Sequence, residues 1–133
     1  MQKKLILFVL LLLWQSAVAV ELEPYAVSKI TFEQWNQFHA KVKKALADSR
    51  TTFRYEAGEL ENYAEPKSYT NIAFTTPGHK AHPAWVTTRI VFEGKKIGVH
   101  VVGYYGGDEA AYQDFYQRMN AMVRETLKSL VQK

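Results

Sequence analysis

AWVTTRIVFEGKKIGVHVVGYY, residues 84–105, consists of two runs rich in β-branched and aromatic side chains around Gly94-Lys95. Such runs read as strands, and a two-residue connection with Gly first suits a type II′ hairpin turn. That turn fixes the register: Glu93 faces Lys96, Phe92 faces Ile97, Ile90 faces Val99, Arg89 faces His100 and Trp85 faces Tyr104. Side chains on a strand alternate with period two. One face therefore carries Val86, Thr88, Ile90, Phe92, Ile97, Val99, Val101 and Gly103, and reads as the core face. The opposite, outer face carries Trp85, Thr87, Arg89, Val91, His100, Val102 and Tyr104.

Beyond the hairpin, Gly106-Gly107 breaks the strand and Asp108 is a good helix N-cap. Tyr112, Phe115, Tyr116, Met119, Met122, Val123, Leu127 and Leu130 then recur at helical spacing, which predicts a helix from about Glu109 to Val131. Before the hairpin, Thr75-Thr76-Pro77-Gly78 signals a turn, and Pro83 closes a loop holding His79 and His82. Tyr69 to Phe74 and Thr51 to Tyr55 read as short strands. The four glutamates, Gly58 and Pro66 between Glu56 and Lys67 read as a solvated loop. Further back, Thr31 and Gln34 have capping-box spacing. Phe32, Trp35, Phe38, Val42 and Leu46 follow at helical intervals, predicting a helix from about Phe32 to Ala47 with His39 at the boundary of its apolar stripe.

Hairpin-rich strands pair antiparallel, and amphipathic helices need a sheet face to cover. The expected architecture is an α+β two-layer sandwich. It has an antiparallel sheet of about four strands, with the N-terminal helix and the long C-terminal helix packed on one face. The other face is then partly open to a ligand or partner.

Residues 1–19 stand apart from that fold. Lys3 and Lys4 precede the unbroken apolar run Leu5 to Trp14, and Ala17-Val18-Ala19 offers small residues for cleavage. This is the pattern of a secretory signal peptide, and the apolar run is well below the ~20 residues of a membrane span. Without those 19 residues, 114 remain as one globular domain, residues 20–133. The 17 basic residues lose Lys3 and Lys4 and become 15, against 13 acidic ones, so half of the net charge of +4 belongs to the leader. A remaining charge of +2 gives no reason to expect nucleic acid as partner. With no cysteine the chain holds no disulfide, no thiolate nucleophile and no lipid-bearing cysteine. The expectation is an exported protein, periplasmic or secreted, without stable membrane insertion once the leader is removed.

Two constellations bear on function. Trp85, Arg89, His100 and Tyr104 share the outer hairpin face, and aromatic and arginine side chains are enriched where interfaces carry binding energy. The same four also suit cross-strand packing, with Arg89 over aromatic rings. His79 and His82, on a loop between prolines, offer imidazoles of the kind zinc or copper prefers, although a third ligand is not evident. A solvated turn is the alternative. Catalytic signatures are missing: there is no G-x-S-x-G elbow, H-E-x-x-H pair or P-loop, and Met119 and Met122 read as core filler. The sequence thus favours non-covalent binding of an envelope protein or a small ligand through the hairpin face and the histidine loop. A metal-binding protein or metal-dependent hydrolase using His79 and His82 is one alternative, and a structural homodimer is another.

Overall fold

The computed structural model describes residues 20–131, so the signal-peptide reading of residues 1–19 lies outside them. Helix α1 covers Phe32–Ala45, strands β1 to β5 cover Thr51–Tyr55, Gly58–Glu65, Thr70–Thr75, Ala84–Glu93 and Lys96–Tyr105, and helix α2 covers Glu109–Val131. The strands form one antiparallel sheet in the order β1-β2-β3-β4-β5. The class is α+β.

Local chemistry sets the elements as the sequence implies. Thr31 Oγ1 accepts from the Gln34 N–H at 3.1 Å, while the Thr31 N–H donates to Gln34 Oε1 at 2.9 Å, closing the capping box on α1. Asp108 Oδ2 accepts from the Ala111 N–H at 2.8 Å at the start of α2. Gly94 takes φ 62°, the left-handed value the hairpin turn requires of its first residue. The β4–β5 register is the one read from that turn, from Glu93↔Lys96 through Arg89↔His100 to Trp85↔Tyr104.

Three expectations need correction. The stretch read as an acidic loop contains β2, which pairs with both β1 and β3. Its Leu60 and Tyr63 are buried. They lie three residues apart and so point to opposite faces, leaving no period-two signal. The helices do not share a face. Trp35, Phe38 and Val42 of α1 cluster with Tyr63, Ile72, Phe74, Trp85 and Tyr104, whereas Tyr112, Phe115 and Met119 of α2 cluster with Leu60, Ala73 and Val86. Trp85 and Val86 are neighbours on β4, so these clusters lie on opposite sides of one sheet, and the layers number three. Finally, Phe92 and Ile97, assigned to the core face, are exposed at the hairpin tip.

Both faces needed covering because both carry large apolar side chains. Trp85 stacks on Phe38 with ring centroids 4.3 Å apart and meets Tyr104 at 4.8 Å. The lead-in before α1 completes that side: Tyr25 lies edge-on to Tyr104 at 5.9 Å, and Ile30 and Ser28 bond the backbone of Tyr105 at the free edge of β5. Removing a fully buried tryptophan typically costs about 3–5 kcal/mol. Trp85→Ala is therefore expected to lower the unfolding free energy measured by urea titration by that amount, whereas a side chain on an open face would cost under about 1 kcal/mol.

Candidate functional site

The hairpin constellation does not form an outer surface. Trp85 and Tyr104 are core residues beneath α1 and the lead-in. Arg89 is half-buried, and exposed His100 meets Glu23 Oε1 across 3.1 Å. On this side of β4, Trp85 Nε1, Thr87 Oγ1 and Arg89 Nε are buried with no hydrogen-bond partner among the described residues.

The histidine loop clamps the two helical layers to the sheet. The Ala81 N–H donates to His79 Nδ1 at 3.0 Å, so the ring proton sits on Nε2, 2.9 Å from the Tyr55 hydroxyl. His79 packs against Phe115 of α2 at 5.5 Å. His82 turns the other way, onto Trp35 of α1 at 5.0 Å. Its Nδ1 lies 2.9 Å from Thr75 Oγ1, a hydroxyl that also donates to the Ala84 carbonyl and accepts from the Ala84 N–H. The two imidazoles thus serve opposite sides of the sheet instead of converging. Among the described residues no three His, Asp or Glu side chains gather to hold a metal ion. Burial lowers the pKa of both histidines, with the charge of the neighbouring ring as a lesser cause at His79.

A polar cluster sits at the margin of the α1 layer. Glu61 on β2 accepts from His39 Nε2 at 2.8 Å, from Arg50 at 3.0 Å and from the Tyr63 hydroxyl. Burial alone would raise the Glu61 pKa. The three hydrogen bonds outweigh it and hold the carboxyl at about 2, below the ordinary 4.5. Burial, reinforced by Glu61, pushes the Tyr63 phenol up to about 12. Each member is committed to another, so the cluster reads as a joint between α1, the Arg50 turn and β2.

A large open groove lies on the opposite face. Helix α2 packs on β4 and β5, and its buried side chains are Tyr112, Phe115, Met119 and Val123. Farther along, Met122, Leu130 and Val131 are exposed. Between this second half of the helix and the sheet runs a groove of about 1020 Å³, reaching from Thr51 and Phe53 on β1 to Thr88 and Ile90 on β4. Phe53, Leu60, Tyr69, Ile90, Met119 and Met122 give it apolar walls, and the charged residues Glu65, Arg118 and Glu125 also line it. Asn62, Asn71 and Thr88 add polar groups on the sheet side, in two adjacent cross-strand rows. None of the six residues singled out from the sequence lines this groove. The missed signal was the α2 stripe itself, which stays apolar for about six turns, to Leu130.

Stability should fall with pH in two windows. His79 and His82 have folded pKa values below 6.5, so the stability they contribute is present above pH 6.5 and is lost as the pH falls through those lowered values. The contribution of Glu61 is present above pH 4.5 and is lost as the pH approaches about 2. In urea titrations across pH, Glu61→Gln is expected to remove the second window and leave the first. Thr87→Val, which deletes a buried hydroxyl without a partner, is expected to raise stability by about 1 kcal/mol in the same assay.

The chain matches no protein-family model, no curated protein and no solved structure.

Proposed function

We propose that the protein is an exported, periplasmic or secreted carrier that binds an elongated apolar molecule non-covalently in the groove beneath α2. The observation that carries this reading is the groove itself: about 1020 Å³, walled largely by aliphatic, aromatic and methionine side chains, with Asn62, Asn71 and Thr88 on the sheet side and Arg118 and Glu125 on the helix side. Binding sites for small molecules commonly measure about 300–1,000 Å³ and combine apolar walls with a small number of orienting polar groups. Met119 and Met122 suit an adaptable wall, since the unbranched thioether repacks at little cost. Asn62 and Asn71 offer amides, and Arg118 a guanidinium, to the oxygens of an end group, so the ligand class is an acyl chain ending in a carboxylate or other oxygen-bearing polar group. The tripartite N-terminus supports export, and the lack of cysteine makes packing alone responsible for stability outside the cell.

The competing reading, a homodimer, draws on the exposure of Met122, Leu130 and Val131 along α2. A second copy seated there would close the groove, so the two readings separate in solution. The carrier is expected to sediment as a monomer and to bind a fluorescent long-chain fatty acid saturably. Phe53 and Met122 are 39% and 46% exposed, so charged replacements there leave the core intact. Phe53→Asp and Met122→Asp are each expected to weaken the fatty acid by about tenfold or more, the cost of setting a charge against a buried apolar chain, without lowering the melting temperature. Unchanged affinity in both variants, or a stable dimer that excludes the fatty acid, would overturn the proposal.

A further inference from the structure

A second cavity, of about 660 Å³, lies at the opposite end of α2, where the lead-in leaves the free edge of β5. Tyr25, Tyr104, Tyr105, Tyr112 and Tyr116 all line it. Its fully ionisable side chains, besides those phenols, are the carboxylates of Glu23 and Glu109; no lysine or arginine contributes to the lining. The cavity therefore presents phenol oxygens, aromatic rings and negative charge.

Two features mark it as built and not as a chance crevice. Tyr112 is more than nine-tenths buried and stacks on Tyr105 with centroids 4.5 Å apart, which holds its ring and hydroxyl in place at the cavity wall. That hydroxyl reaches the space where a side chain at position 103 would stand: a Cβ on Gly103 would lie 2.2 Å from it. Burial keeps the Tyr112 phenol neutral by raising its pKa. Second, Tyr105 spends its outward N–H and C=O on Ser28 and Ile30, so by alternation the N–H and C=O of Gly103 also point out from the edge, into the cavity. The Val101 carbonyl, next in that row, is approached by the Tyr116 hydroxyl at 3.4 Å.

We infer that this cavity binds an organic cation, a molecule bearing an ammonium group. Aromatic rings attract such groups through their negative faces, and carboxylates at the rim add Coulomb attraction. An anionic ligand would face Glu109, and Glu23 beside its hydrogen-bond partner His100, with no lysine or arginine in the lining to offset them. The site is independent of the groove at the other end of α2, so either can fail without the other.

Choline, butylammonium and the uncharged choline analogue 3,3-dimethylbutan-1-ol separate the terms when titrated into the whole chain. Chemical shifts of the tyrosine rings report on the cavity. Choline or butylammonium is expected to saturate and to move the Tyr105, Tyr112 and Tyr116 ring signals, while the uncharged analogue leaves them in place. The double variant Glu23→Gln/Glu109→Gln changes only exposed side chains and is expected to weaken the cation about fivefold or more, in line with two partly exposed charge interactions. Equal binding of the uncharged analogue would overturn the inference. So would the absence of saturation by either ammonium compound at about 10 mM, a weak limit on the affinity scale.

Discussion

Trp85 and Val86 are neighbours on β4, and their side chains leave the sheet in opposite directions into two separate cores. A sheet loaded with large apolar groups on both faces cannot leave either face in water, so each must receive a helix. The short α1 and the lead-in close the Trp85 side, where Phe38, Phe74 and Tyr104 surround the indole. The Val86 side has smaller residues, Ala73, Ala84 and Gly103 among them, and α2 packs there over β4 and β5. Both proposed sites follow from that arrangement. The helix is about 35 Å long, so its second half stands over β1 to β3 with space beneath it, and its first turn borders the edge of β5.

Much of this was legible because the governing interactions are local. The hairpin register follows from one glycine and one period, the capping box from two residues three apart, and the span of α2 from an uninterrupted stripe. Each prediction concerned neighbours in sequence, where geometry leaves little choice. The second face was written in the hairpin as well: Trp85, Val91, Val102 and Tyr104 make the supposed outer face nearly as apolar as its partner. Near-continuous apolar strands are the mark of a sheet covered on both sides, whereas a strict in-and-out alternation would have left one face polar.

What stayed hidden depends on partners remote in sequence. Glu61 looks like a solvated charge until His39, Arg50 and Tyr63 surround its carboxylate. Spacing placed His79 and His82 on one loop, but their rings are captured by Tyr55 on one side and Trp35 on the other. Cavities are harder still, because they arise from where a helix fails to touch a sheet. Asn62 and Phe53 gain meaning only through their position opposite Met122. Tyr104, singled out from sequence as a binding residue, does line a cavity, though its ring belongs mainly to the core.

The central claim is that a sheet covered on both faces leaves its ligand site beneath the second half of α2. Methyl-resolved NMR of the chain during titration with a long-chain fatty acid addresses it directly. Shifts confined to Leu60, Ile90, Met119, Met122 and Val123, with the Val42 and Val86 methyls unmoved, are the expected result. Changes centred on the α1 side around Val42, or no saturable change at any methyl, would contradict it.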